Sequence, residues 1–184
     1  MARMPVLLTI PAVTAAVALV ATPVSATETV PPAATEATLT PQDQQAEGAQ
    51  SREAVRAERA SRARASLVRV ALTRKGDSYV AGASGPTSFD CSGFTMWVYK
   101  KALGKSLPHY SGAQMDVARR VSVKNLKPGD LLFYGRGGSQ HVSMYIGKGK
   151  MIHATNPREG VVVQSIHVPW FWNIMAGAGR VIRD

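Results

Sequence analysis

A chain of 184 residues, 45% of them apolar, has room for about one domain of ordinary size, and its single cysteine excludes an internal disulfide framework. The balance is strongly basic, 22 Lys and Arg against 12 Asp and Glu for a net charge of +10, which favours an acidic partner. Nucleic acid is disfavoured as that partner, because the chain carries no recognised binding motif and opens on an export signal.

Residues 1–26 read as that signal. Met1 to Ala21 carries one charge, Arg3, followed by an apolar run from Val6 to Val20 that Pro11 interrupts and Val24-Ser25-Ala26 closes. A positive start, a short apolar segment and a small-residue end describe a secretory signal cleaved after Ala26, not a membrane span of about 20 apolar residues. The mature protein is expected to be exported and monomeric, with no stable membrane insertion. An unpaired cysteine in an oxidising compartment is then either a partner for another chain or a reactive thiol.

Residues 27–65 read as a spacer. Thr27 to Gly48 is rich in Thr, Pro, Ala, Glu and Gln and too poor in large apolar residues to offset chain entropy. Ser51 to Ala65 alternates Ala, Arg and Glu and can be helical without a face worth burying. The folded domain is placed at 66–184, where Leu67, Val68, Val70, Ala71 and Leu72 give the first apolar helical face and Gly76 stops it. Charge follows the same division. Residues 27–65 hold five Arg against six acids, whereas 66–184 hold 16 Lys and Arg against six.

The turn formers Gly82 to Thr87 lead into Ser88-Phe89-Asp90-Cys91-Ser92-Gly93, and Phe94 to Lys101 continues with helical spacing. Asp90 or Ser88 can cap that helix, which puts Cys91 in its first turn, where the helix dipole favours a thiolate. A loop at Leu107 to Ser111, a short helix from Ser111 to Ala118, a connector from Val121 and a turn at Lys127-Pro128-Gly129-Asp130 follow. Five strands are expected, at Asp130–Tyr134, His141–Ile146, Lys150–Ala154, Val161–Ser165 and Ala178–Ile182, joined by short connections that suit antiparallel neighbours. Helices first and strands second make an α+β domain.

Alternation sets His141 on one face of its strand, opposite the apolar Val142, Met144 and Ile146, and His153 shares a face with Met151. If the two strands form a hairpin, the imidazoles are cross-strand neighbours. A cysteine at a helix start, a histidine as its base and ion-pair partner, and a polar residue orienting that histidine are what nucleophilic catalysis requires. Cys91, His141 and His153 are the candidates. Trp170 and Trp172 either flank a groove or pack at the domain edge.

Tyr79, Gly82, Gly85-Pro86, Phe89-Asp90-Cys91-Ser92-Gly93, Leu107-Pro108, Gln114, Leu126 to Leu131, His141-Val142, Tyr145-Ile146-Gly147 and Met151-Ile152-His153-Ala154 resemble, in order, the NlpC/P60 family of cell-wall cysteine peptidases. The resemblance implies a papain-like α+β fold, with N-terminal helices on a five- to six-stranded antiparallel sheet. It also implies hydrolysis of peptidoglycan stem peptides, commonly between γ-D-glutamate and diaminopimelate. The histidines lack a compact ligand motif, so no metal is expected, and no cofactor. By position Cys91 is the nucleophile, His141 the base and His153 the third polar residue. Tyr79 lines the site and helps hold the oxyanion, and Asp90 and Ser92 match positions that contact the amine end of a short substrate in some members. Ala81 stands where the family often has an aromatic residue, and His109 where arginine is common. An amidase or acyl transferase on the same scaffold, and a non-catalytic wall-binding module, stay open as alternatives; the basic domain suits electrostatic contact with anionic wall polymer.

Overall fold

The computed structural model describes residues 41–183. The expected signal peptide at 1–26 and the spacer before residue 41 lie outside the described residues. Helix α1 is continuous over Pro41–Leu72, so the second half of the expected spacer and the start of the expected domain form one element. Ala60, Arg64, Leu67 and Ala71 are buried and recur at helical spacing on one face. Packing therefore reaches back to Ala60, six residues before the expected domain start at residue 66. Small Ala60 lets the helix approach closely, a contact that a search for large apolar residues does not register.

Helix α2, Cys91–Leu103, lies against α1, where Ser66 Oγ donates to the Ala102 carbonyl at 3.4 Å. It ends at Gly104 in the left-handed conformation with φ of 67°, the usual helix stop. Two short parallel strands, β1 at Ser78–Tyr79 and β2 at Ser88–Phe89, precede it and bring Tyr79 alongside its start. Helix α3, Ser111–Val117, leads into β3, Arg119–Val121.

The main sheet contains β3, β4 at Leu131–Tyr134, β5 at His141–Gly147, β6 at Lys150–Ala154, β7 at Val161–Ser165 and β8 at Met175–Arg180. Their spatial order is β3-β8-β4-β5-β6-β7, with every neighbour antiparallel. Two details differ from the sequence expectation. Strand β3 extends the sheet at residues expected to join a helix to a connector, because Arg119 to Val121 find partners in Arg180 to Ala178. Strand β8 begins at Met175, ahead of the expected Ala178; its Gly177 and Gly179 dilute the alternation that marks a strand.

Both faces of the sheet are covered. On one side Leu131, Phe133, Val142, Met144 and Ile152 pack with Leu67 of α1 and with Phe94 and Val98 of α2. On the other, Leu132, Tyr134, Met151 and Ala178 meet Ile166 and Phe171, the latter on helix α4, Pro169–Asn173. This explains why all four residues of β4 are buried, where a sheet with one wet face would alternate.

The turn before β4 ties the layers together. Asp130 is 1% exposed and accepts from Arg180 Nε at 2.8 Å and Nη2 at 2.7 Å, the forked geometry that guanidinium and carboxylate share. Arg64 of α1 approaches the same carboxylate at 3.6 Å, and the Lys127 N–H donates to it at 2.7 Å. The Tyr99 hydroxyl of α2 donates to the Gly129 carbonyl. Gly129 itself has φ of 89°, and a Cβ there would meet Leu67 Cδ1 at 2.8 Å, so both conformation and space call for glycine. One turn thus holds α1, α2 and β8 against the sheet.

Candidate active site

Asp90 sits in extended conformation and caps α2, its Oδ1 accepting from the Gly93 N–H at 2.6 Å and from Ser92 Oγ at 3.1 Å. Its Oδ2 accepts from the Gly82 N–H at 3.0 Å and lies 2.9 Å from His109 Nε2. One carboxylate therefore fixes the helix start to the preceding loop. Gly93 completes the junction, since a Cβ there would run into the Ala83 carbonyl oxygen. The polar atoms of Asp90 and Ser92 are engaged in this cap, and Ser92 is buried. His109, whose role the sequence left open, is part of it as well.

Cys91, thus placed in the first turn of α2, is partly buried. It lines a cleft of about 420 Å³ with Tyr79, Gln140, His141, Glu159 and Trp170 among the other walls. Burial pushes its thiol up from the ordinary value, and Asp90 adds to this, while the backbone N–H groups of Val142, Ser92 and Cys91 work in the opposite direction. Burial outweighs the helix-terminus effect on which the expected thiolate rested. The resting group is a thiol.

His141 and His153 are 6% and 0% exposed, and His141 Nε2 lies 2.7 Å from His153 Nδ1. His153 Nε2 is in turn 3.2 Å from Gln164 Oε1. Gln164 belongs to β7, where Met151 pairs with Gln164 and His153 with Val162, so the imidazole and the amide are diagonal neighbours on one sheet face. The amide oxygen only accepts, which assigns the His153 proton to Nε2 and leaves Nδ1 to accept from His141 Nε2–H. The His141 Nδ1 lone pair is then the basic atom of the site. Phe171 covers the pair, its ring centroid 5.1 Å from His141 and 4.9 Å from His153.

Desolvation, chiefly, and the neighbouring His153 lower the His141 pKa to about 3; desolvation lowers that of His153 to about 4, against the opposing hydrogen bond from Gln164. Thiol and imidazole are thus both neutral at rest, in place of the expected ion pair. A neutral pair can still transfer its proton during attack. The two depressed values also predict acid lability. The unfolded histidines titrate near 6.5, so the stability these groups contribute is present above that pH and is lost as pH falls from about 6.5 through 4 to 3. Urea midpoints measured across this range are expected to fall steadily, and less steeply in His153→Gln.

Tyr79 lines the same cleft. Burial first, then Cys91 and Asp90, raise its pKa, so its phenol is a hydrogen-bond donor at neutral pH. Trp170 is 60% exposed at the cleft wall and Trp172 is 42% exposed; the His167 ring lies against Trp172, tilted, with centroids 4.6 Å apart. The structure therefore brings Tyr79, Cys91, His141 and His153 into one neighbourhood and puts Asp90 and Ser92 in the cap behind Cys91. Gln164 and Phe171 were not foreseen. A glutamine at the end of the apolar run Val161-Val162-Val163 was the signal for the first, whereas nothing local marks the second.

The NlpC/P60 family pattern matches residues 76–180, more than half of the chain. The chain belongs to the NlpC/P60 family. It is 44% identical over 116 residues to "Probable endopeptidase p60" of Listeria innocua serovar 6a, across 62% of this chain and 24% of that protein. It is 40% identical over 75 residues to "Peptidoglycan endopeptidase RipA" of Mycobacterium tuberculosis, across 41% of this chain and 16% of that protein. The matches thus span about a quarter or less of these curated relatives. Among solved structures, the NlpC/P60 domain of the peptidoglycan hydrolase SagA gives a TM-score of 0.58 at 36% identity, covering 64% of this chain and 98% of that one. The P60 domain of antigen MAP1204 from M. avium subspecies paratuberculosis gives 0.61 at 30% identity, covering 68% and 98%. The α+β fold expected from the resemblance is the fold of these NlpC/P60 domains.

Proposed function

We propose that this protein is an exported cysteine endopeptidase that hydrolyses peptidoglycan stem peptides between γ-D-glutamate and diaminopimelate. The observation that carries this reading is the shared cleft of Cys91 and His141, with His141 bonded to His153. The proposed relatedness in function to the endopeptidases named above supports the substrate class.

In the mechanism, the Cys91 sulfur attacks the scissile carbonyl as its proton passes to His141 Nδ1. The oxyanion is held by the Cys91 N–H and the Tyr79 hydroxyl. His141 returns the proton to the departing amine, leaving a thioester, and then accepts a proton from the water that hydrolyses it. His153, anchored by Gln164, stabilises the transient imidazolium. Asp90 and Ser92 are assigned a substrate-facing role by family position, and the cap they form sets where an amine end could bind. No helix among the described residues is long and apolar enough to cross a membrane. The basic excess of the domain adds a salt-sensitive attraction to anionic wall polymer.

Digestion of purified peptidoglycan by the chain from Thr27 onward, with products identified by mass, tests the proposal. Fragments cut after γ-D-glutamate are expected. Release of whole stems from the glycan would instead identify an amidase, and transfer of the acyl group to an added amine an acyl transferase. Sedimentation with the wall and no release would identify a binding module.

A further inference from the structure

The cleft differs in charge from the domain around it. Residues 66–184 carry 16 basic and six acidic side chains, yet among the described residues lining the cleft Glu159 alone has a formal charge at neutral pH. The thiol of Cys91 and the phenol of Tyr79 stay protonated and His141 is neutral. A lone carboxylate in a positive domain runs against the general field, which marks this wall for a cation.

Glu159 is also held in place. The turn between β6 and β7 is closed by Asn156 Oδ1, which accepts from the Arg158 N–H at 3.0 Å and the Glu159 N–H at 3.2 Å. Its backbone adds Gly160 N–H to Asn156 O at 2.8 Å and Thr155 N–H to Gly160 O at 2.9 Å. Next to it, Val161 N–H donates to the Asp77 carbonyl at 2.9 Å, tying the turn to the segment that leads into Tyr79. Asn156 Nδ2 donates to Glu159 Oε2 at 3.2 Å, which leaves Oε1 for a ligand. Arg158 does not line the cleft; it borders a neighbouring surface depression together with Asn156, Pro157 and Glu159.

We infer that Glu159 is a specificity-determining residue that pairs with the free distal ammonium of the diamino acid in the stem peptide. The inference rests on the endopeptidase reading above. A stem joined to glycan through its N-terminus keeps no amine there, so the distal amine of the diamino residue is its cation. Cross-linking acylates that amine and removes the charge. Pairing with Glu159 therefore makes the enzyme selective for stems that are not cross-linked through this residue. The ammonium belongs to the residue whose α-amine leaves, so it enters the cleft with the leaving group.

The experiment uses two synthetic peptides containing the γ-D-glutamyl–diamino acid bond, one with the distal amine free and one with it acetylated. Kinetics are measured for the unaltered protein and for Glu159→Gln, which keeps the turn because its hydrogen bonds to position 159 involve the backbone N–H and a side-chain oxygen that glutamine also has. The unaltered protein is expected to prefer the free amine about five- to tenfold in KM at low ionic strength, and less so as salt rises. In Glu159→Gln that preference is expected to fall close to one, with kcat for the free-amine peptide changed less than KM. An identical preference in both proteins would overturn the role of Glu159 alone. Failure of the unaltered protein to cut either peptide would overturn the endopeptidase reading together with it.

Discussion

Cys91→Ala is expected to lower the rate of fragment release from peptidoglycan by about three orders of magnitude or more, because removal of the attacking atom leaves only binding and oxyanion stabilisation. Cys91 is a small, partly buried side chain, so the accompanying loss of stability is expected to stay near or below about 1 kcal/mol. Thermal unfolding of the variant, measured beside its activity, separates the two effects. A variant that melts normally and releases nothing assigns the chemistry to Cys91; one that melts normally and still releases fragments would remove Cys91 from the mechanism. The pH dependence adds a second reading of the same pair. With a neutral thiol and a neutral imidazole as the competent form, activity is expected to hold through the neutral range. Its acid limb falls well below the ordinary histidine value and its alkaline limb above the ordinary cysteine value.

Asp130→Ala is expected to be the most destabilising of the changes considered, by about 3–5 kcal/mol. Asp130 is 1% exposed, and its two oxygens face Arg180 at 2.8 and 2.7 Å and Arg64 at 3.6 Å. Without the carboxylate, two guanidinium groups share a buried space with an excess of positive charge, and the Lys127 N–H loses its acceptor. A melting temperature lower by roughly 10–20 °C is the expected readout. Replacing Arg180 with methionine at the same time should recover part of the loss, since the double change removes one of the stranded charges. Were the single change to leave the melting temperature within a few degrees of the unaltered protein, the turn could not be the joint between α1, α2 and β8 described above.

The elements legible in the sequence are those whose signal is local. Asp90 is the cap it promised to be, with Gly93 N–H at 2.6 Å. The alternation of His141 and Val142 through Ile146 turned the apolar set to the helices, and the tight Gly147-Lys148-Gly149 loop brought the two imidazoles together. Strand β3 escaped notice because three residues with two arginines have no strand pattern of their own; they are a strand only because β8 lies beside them. The length of α1 was missed for the converse reason, since its apolar contact is made by Ala60 and by the buried guanidinium of Arg64.

What the sequence by itself determined was the identity and order of the chemical groups: a lone cysteine behind a capping aspartate, two histidines at strand spacing, a tyrosine upstream and an excess of positive charge. Those properties are written in single residues and short periodicities. Only the tertiary structure decided their state and company. Burial beneath Phe171 of α4 lowered the histidine pKa values, burial pushed the cysteine thiol up, a diagonal pairing supplied Gln164, and the turn between β6 and β7 delivered Glu159 to the cleft. Desolvation and cross-strand neighbourhood depend on what covers a group from elsewhere in the chain, and no window of sequence around that group contains this information.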